Sequence, residues 1–176
     1  MKSRRPVALV GLSGTGKSSV APLLATRLDL VPADVDRRIE AAEGCTVSQF
    51  FARHGEAAFR ERELAELSEV LDGPPAVVAT GGGVVTNATA RERLARDCTV
   101  VWLRAEPGVL VARLAGTDEE RPLLADDPTT TLRRLAAERE ALYREVADLV
   151  VDVDDASVEE LTETILDGLP MTEHQP

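Results

Sequence analysis

The fold is decided by residues 6–20, PVALVGLSGTGKSSV, where a short apolar run meets a glycine-rich turn and then a helical pattern. Residues 11–18 of this stretch, named the phosphate loop below, fit the pattern G-x-x-x-x-G-K-[ST]. The glycines of such a loop let backbone N–H groups converge on phosphate, and the N-terminus of the following helix adds positive partial charge. We expect Lys17 to reach the terminal phosphates of a nucleotide and the Ser18 hydroxyl to bind magnesium.

The overall charge of the chain excludes one class of partner. Its 176 residues include 31 acidic and 20 basic side chains, for a formal net charge of −11. Such acidity argues against a protein that holds nucleic acid on a basic surface. The basic residues are almost all arginine, since Lys2 and Lys17 are the only lysines. A merely glycine-rich turn would not explain why one of two lysines lies in the phosphate loop.

Apolar patterning and cysteine content indicate a protein of the cytoplasm. The longest apolar runs fall far short of the roughly 20 residues that a membrane span needs. Residues 1–8 are not followed by an apolar block of secretory length, so we predict no signal peptide. Cys45 and Cys98 have neither metal-ligand spacing nor a disulfide pattern, which favours a reducing cytoplasm.

Short β-branched runs alternate with longer helical patterns, and this predicts βαβ units around a mostly parallel sheet. The five predicted strands are residues 6–10, 30–33, 76–80, 99–103 and 149–153. The predicted helices are residues 17–28, 35–43, 47–54, 56–71, 88–96, 107–115, 129–147 and 157–166. Capping boxes are expected at Thr46 with Gln49 and at Ser157 with Glu160, and Gly55 as a helix stop. The chain is therefore predicted to be one α/β domain over residues 1–169, with a disordered tail at 170–176.

Two arginines lie where their helices should be apolar. Arg139 falls within the apolar stripe of helix 129–147, and Arg60 precedes Leu64 and Leu67 on the stripe of helix 56–71. Each could extend outward to solvent or meet an internal carboxylate, and Glu63 is placed to pair with Arg60. Alternatively, both guanidinium groups line a cleft and await a shared anion. The second interpretation is strengthened by finding the feature on two separate helices.

Polar and glycine residues follow two of the predicted strands. Asp34 and Asp36 come after strand two, at the carboxyl end where ligands of open α/β sheets collect. Asp34 could simply cap the next helix, but two carboxylates beside a phosphate loop favour a role in binding magnesium or accepting a proton. Gly81, Gly82 and Gly83, named the glycine triplet below, follow strand three and bring bare backbone close to a ligand.

Taken together, these features resemble the shikimate kinases, which are small P-loop kinases of the nucleoside-monophosphate-kinase type. The matching segments are GLSGTGKSS (11–19), ADVD (33–36), FFARHGEAAFRERE (50–63), TGGGVV (80–85), ERPLL (120–124) and REALYREVA (139–147). The resemblance implies a P-loop NTPase fold with three α/β/α layers and a five-stranded parallel sheet. It also implies a lid over about residues 116–128.

For the nucleotide, the resemblance implies ATP with Mg²⁺. Mg²⁺ would contact Ser18 and, through water, Asp34. Arg113 would lie near the adenine, and Arg121 would close over the transferring phosphoryl group as a catalytic residue together with Lys17. The loop 153–156 lacks the basic residue that often covers adenine in the family. The implied ATP-binding residues of the phosphate loop and the helix after it are Gly14, Thr15, Gly16, Lys17, Ser18 and Ser19.

For the second substrate, the resemblance implies shikimate, phosphorylated on its 3-hydroxyl to give shikimate 3-phosphate and ADP in the biosynthesis of aromatic amino acids. Asp36 would orient the hydroxyl and help to take its proton. Arg60 and Arg139 would bind the carboxylate, together with the glycine triplet, where Gly82 would offer its N–H. Phe51 and Phe59 would wall the pocket.

Two alternatives remain at this point. Another small-molecule P-loop kinase, such as a gluconate kinase, shares the phosphate loop but does not predict the glycine triplet together with Arg60 and Arg139. A nucleotide-binding regulator without turnover would need neither the arginine pair nor Asp36 as a base. The sequence favours the kinase of shikimate, acting as a monomer without nucleic-acid or membrane partners.

Overall fold

A computed structural model describes residues 5–116 and 127–170 of the chain. Five parallel strands form one sheet in the order β2-β3-β1-β4-β5. The predicted parallel sheet is thereby confirmed. Its strands are β1 (Val7–Val10), β2 (Val31–Asp34), β3 (Ala76–Ala79), β4 (Thr99–Arg104) and β5 (Leu149–Asp152).

Helices cover both faces of the sheet, as the expected three-layer α/β/α architecture requires. One core lies between the sheet and α1 with α7, and the other lies between the sheet and the remaining helices. A 3-10 turn, Val84–Thr86, follows the glycine triplet. The helices are α1 (Lys17–Leu28), α2 (Val35–Glu43), α3 (Val47–Asp72), α4 (Ala88–Asp97), α5 (Pro107–Ala115), α6 (Pro128–Val146) and α7 (Val158–Gly168).

Strand β1 shows why the strands are continuous apolar runs in the sequence. Val7 and Leu9 enter the core beneath α1 and α7, whereas Ala8 and Val10 enter the opposite core. Successive side chains of a strand point to opposite faces, so a strand covered on both faces has no polar side. Because β1 lies at the centre of the sheet, the phosphate loop that follows it begins from a fully buried strand.

Helix ends agree closely with the capping residues in the sequence. Both predicted capping boxes form, Thr46 with Gln49 at α3 and Ser157 with Glu160 at α7. The break predicted at Gly55 is confirmed, because α3 consists of two helical segments that meet at a kink there. Gly55 has φ 80° and ψ 175°, which interrupts the helical backbone for one residue and lets the chain resume its helix at once.

An ionic cluster joins α2 to α3. Glu66 is 3% exposed and receives hydrogen bonds from Arg38 of α2 and from Arg62 one turn earlier on α3. Arg62 also reaches Glu43 at 2.7 Å. Because Asp36 begins α2 and Arg60 lies on α3, this cluster sets the relative position of two predicted site residues.

Within the described ranges, no helix combines the length and the apolar character that crossing a membrane requires. The predicted lid at about 116–128 lies mostly, and the predicted tail almost entirely, outside the described residues.

Candidate active site

A cavity of about 810 Å³ opens at the carboxyl ends of the strands, above the phosphate loop. It brings together side chains that are far apart in the chain. Among its lining residues five are basic and four are acidic, so its local charge differs from that of the whole chain, −11. The predicted site residues that line it are Gly14, Gly16, Lys17, Ser18, Ser19, Asp34, Asp36, Arg60, Gly81, Gly82, Gly83, Arg113 and Arg139.

Two of the predicted site residues are not among those that line the cavity. Thr15 is 1% exposed, and its hydroxyl donates to the Leu12 carbonyl at 2.9 Å, so its side chain stabilises the phosphate loop from within. Arg121 lies outside the described residues.

Lys17 is largely buried at the start of α1, and its ammonium lies within the phosphate loop. Nζ donates to the carbonyls of Gly11 at 2.6 Å and Leu12 at 2.9 Å. These bonds hold a cation beside the loop whose backbone is expected to bind phosphate. The side chain must exchange at least part of this bonding for a phosphate when it reaches toward a nucleotide.

Asp34 caps α2, one of the two interpretations of its place in the sequence, and also contacts Ser18 of the phosphate loop. Its Oδ1 accepts a hydrogen bond from the Arg37 backbone N–H at 3.1 Å and so caps α2. Its Oδ2 accepts a hydrogen bond from the Ser18 hydroxyl at 2.6 Å, in the wall of the cavity. A hydroxyl and a carboxylate side by side next to a phosphate site form the kind of oxygen donor set that Mg²⁺ uses together with substrate phosphates.

Asp36 lies in the first turn of α2, and its Oδ1 is buried with no hydrogen-bond partner among the described residues. Burial raises the pKa of this carboxyl from 3.8 to about 7, with the neighbouring Glu63 and Asp34 adding to the effect, while Lys17 and Arg60 oppose it. A carboxylate with a free oxygen and a pKa near neutrality is suited to accept a proton from a bound hydroxyl.

Glu63 is a site residue that the sequence identified only as a partner for Arg60. It is 1% exposed, and its Oε1 has no hydrogen-bond partner within the described part of the chain. Burial raises the pKa of the Glu63 carboxyl, although the guanidinium of Arg60 acts in the opposite direction. The signal that could have revealed Glu63 is its position on the apolar stripe of α3, where a carboxylate is unexpected.

The glycine triplet is required because three functional groups pack against its backbone. A Cβ atom on Gly81 would lie 2.2 Å from Oε1 of Glu63, and one on Gly83 would lie 2.2 Å from Nη2 of Arg60. A Cβ on Gly82 would lie 3.1 Å from the backbone nitrogen of Ser13 in the phosphate loop. The bare backbone therefore admits site residues of the protein itself, in addition to any ligand.

Both inward arginines belong to this cavity. Arg60 donates to Glu63 Oε2 at 2.8 Å, as expected, and lies 5.3 Å from the centre of the Phe59 ring. Arg139 is 6% exposed and donates to the Gly82 carbonyl at 2.9 Å. Among the described residues no carboxylate lies within ion-pair distance of Arg139. This arginine therefore neither extends to solvent nor pairs with an internal carboxylate. Its charge is available to an anion in the cavity.

Two aromatic rings and one further arginine complete the predicted residues that line the cavity. Phe51 and Phe59 both line it, with ring centroids 4.7 Å apart. Arg113 donates to the carbonyl of Val153 at 2.7 Å and to that of Gly14, in the phosphate loop, at 3.5 Å. Its guanidinium thus connects the loop after β5 to the phosphate loop. The loop after β5 is the segment 153–156 that lacks a basic residue in the sequence.

Comparison with known families agrees with this geometry. The family model described as shikimate kinase matches residues 13–170. The chain belongs to the shikimate kinase family. A shikimate kinase of Paramagnetospirillum magneticum is 46% identical over 166 residues, which cover 94% of this chain and 84% of that protein.

Solved structures agree with the assignment. The structure of a shikimate kinase from Acinetobacter baumannii in complex with shikimate has a TM-score of 0.89 and 36% identity, covering 93% of this chain and 91% of that one. A gluconokinase from Sinorhizobium meliloti matches with a TM-score of 0.56 at 18% identity, over 96% of this chain and 93% of that one, so that the fold alone is shared. The resemblance of the sequence to the shikimate kinases is confirmed, and the chain is an ATP-dependent kinase of that family.

Proposed function

We propose that this protein transfers the terminal phosphoryl group of ATP to the 3-hydroxyl of shikimate, giving shikimate 3-phosphate and ADP. The observation that carries the proposal is one cavity that joins a phosphate loop to a pair of inward arginines, with the carboxylate of Asp36 in its wall. Phosphoryl transfer depends mainly on positioning and charge neutralisation, and these residues supply both.

The arginine pair binds the carboxylate of the substrate. Arg60 and Arg139 approach the cavity from α3 and α6, and both are largely removed from solvent. A guanidinium forms two parallel hydrogen bonds with a carboxylate, and low solvent exposure strengthens them. A small cyclic acid is thereby held by one end, with its hydroxyl groups directed toward Asp36.

Asp36 accepts the proton of the attacking hydroxyl. Its buried Oδ1 has no other partner within the described residues, so a substrate hydroxyl can occupy that position. With a pKa of about 7, the carboxyl is ionised in a large fraction of molecules at neutral pH and can still hold a proton once it has received one.

On the nucleotide side, the phosphate loop binds the phosphates of ATP and Lys17 neutralises the transferring group. Ser18 and Asp34 are the residues that would hold Mg²⁺, Asp34 through water. When bound, the cation neutralises phosphate charge during transfer. Arg113 lies beside the adenine, and Arg121 supplies further positive charge to the transferring group. Its two free thiols are in keeping with a place for the protein in the reducing cytoplasm, where we expect it to act as a monomer.

A coupled assay that follows ADP release tests the proposal. We expect turnover with ATP, Mg²⁺ and shikimate, and none above background with gluconate or with polyols that lack a carboxylate. Turnover with gluconate and not with shikimate would overturn the substrate, and nucleotide binding without any turnover would favour a regulator.

The arginine assignment has a matched control on the same helix. Arg139→Ala removes the buried guanidinium, whereas Arg134→Ala removes an exposed one that pairs with Glu138 at 3.0 Å. We expect only Arg139→Ala to raise the KM for shikimate. A KM close to that of the parent protein would refute the role of Arg139 in binding the carboxylate.

A further inference from the structure

Tyr143 stands out as a polar side chain in the described structure to which the proposed reaction assigns no task. It follows Arg139 by one helical turn on α6, so the two side chains share a face of the helix. Tyr143 is 1% exposed, and its ring stacks on that of Trp102 with centroids 5.5 Å apart. Its hydroxyl crosses to the glycine triplet and donates to the Gly82 carbonyl.

The Gly82 carbonyl therefore receives two donors from the same helix. Arg139 Nη1 donates at 2.9 Å and Tyr143 donates through its phenol, which fills both lone-pair directions of this oxygen. Burial raises the pKa of the Tyr143 phenol, so the group stays protonated and remains a donor. Two donors at one carbonyl fix the plane of its peptide more firmly than one donor can.

The orientation of this peptide matters for the ligand end of the cavity. All described peptide bonds are trans, so a Gly82 carbonyl directed toward α6 turns the Gly83 N–H the opposite way. The guanidinium of Arg60 lies directly against Gly83. A rotation of this one peptide would disturb Arg139 on one side and Arg60 on the other.

We propose that Tyr143 is a positioning residue for the carboxylate-binding end of the cavity. By holding the Gly82 carbonyl, its hydroxyl keeps the glycine triplet in place and leaves the Arg139 guanidinium aligned for the substrate. The inference rests on the proposed function, because it concerns how the shikimate carboxylate is bound. Tyr143 itself does not touch the substrate.

The variant Tyr143→Phe tests this by removing the hydroxyl and keeping the ring on Trp102. We expect the KM for shikimate to rise roughly three- to tenfold, the size of one lost hydrogen bond. The kcat should stay within about twofold, and the KM for ATP should not change. Because KM does not depend on the amount of folded enzyme, partial loss of stability cannot imitate this result. The fluorescence of Trp102, the single tryptophan, reports whether the stacked pair is retained.

Thr162→Val provides a matched control on the opposite face of the sheet. Thr162 is also 1% exposed, and its hydroxyl donates to the Val158 carbonyl at 2.7 Å within α7. This variant loses a buried hydroxyl far from the cavity and should leave both KM values unchanged. An equal rise in the KM for shikimate in Thr162→Val and Tyr143→Phe would overturn the proposal, because general loosening would then explain it.

A double-mutant cycle with Arg139→Lys completes the test. If Tyr143 acts through Gly82 and Arg139, the two substitutions should raise the KM by less than the product of their separate effects. Multiplicative effects, or a Tyr143→Phe variant with unchanged KM, would overturn the role of Tyr143 while the parent still phosphorylates shikimate. A parent without shikimate turnover would instead overturn the proposed function, and the inference with it.

Discussion

Replacing Asp36 by asparagine should abolish turnover and at the same time stabilise the protein at alkaline pH. Asparagine keeps the size of the side chain but can neither ionise nor accept the substrate proton. Loss of a general base typically lowers kcat by about 10²–10⁴-fold. Nucleotide affinity should be nearly unchanged, because the phosphate loop is intact.

The size of the stability effect follows from the buried position of Asp36. Its pKa of about 7, against 3.8 in water, means that ionisation costs on the order of 4 kcal/mol more in the folded protein than in the unfolded chain. The folded protein binds the proton more tightly, so this cost is absent below about pH 3.8, grows as the pH rises and is complete above about pH 7. Between pH 5 and pH 8, about 2–3 kcal/mol of it should develop.

Urea unfolding at pH 5 and pH 8 measures this difference directly. We expect the gain in unfolding free energy of Asp36→Asn over the parent to be larger at pH 8 by about 2–3 kcal/mol. Asp167→Asn, which removes an exposed carboxylate of α7, serves as the control and should give no such difference. A gain that is equal at both pH values would refute the conclusion that ionising the buried Asp36 destabilises the folded protein. A near-normal kcat would refute its role as base.

Three further substitutions test other parts of the structure. Arg139→Lys keeps the charge but loses the planar fork, so the KM for shikimate should rise about 10- to 100-fold in steady-state assays with kcat less affected. Gly83→Ala should lower kcat/KM for shikimate about tenfold or more, because its Cβ would displace the Arg60 guanidinium, whereas Gly108→Ala, with nothing within 4 Å, should leave it unchanged. Glu66→Gln should lower the free energy of unfolding in urea by about 1–3 kcal/mol, because two arginines lose their buried partner; an unchanged value would contradict the importance of the ionic cluster.

Local chemistry made much of the fold predictable from the sequence. The phosphate loop, the β-branched runs and the capping boxes each depend on residues close in the chain, and each appears in the structure where it was expected. Gly55 is a further example, since the helix breaks at this glycine and resumes directly after it, as the helical patterns on its two sides predict.

The site was predictable only in part, because contacts between distant residues leave little trace in a single sequence. The spacing of Arg60 and Arg139 on apolar stripes revealed that both point inward. It could not reveal that the Gly82 carbonyl accepts from Arg139, since that contact joins residues 57 positions apart. The sequence likewise places Asp34 at a helix start, but it does not reveal that the second oxygen of this carboxylate accepts from Ser18, 16 positions earlier.

The cavity is lined by five basic and four acidic side chains within a protein whose formal charge is −11, and this has a consequence for how ligands arrive. ATP and a carboxylic acid are both anions, so the field far from the protein repels them rather than drawing them in. At physiological ionic strength that field fades within about 8 Å, and attraction by the interior cations is confined to the mouth of the cavity. Encounter with either ligand is therefore unassisted by long-range steering, and moderate salt should speed association by weakening the repulsion of the exterior.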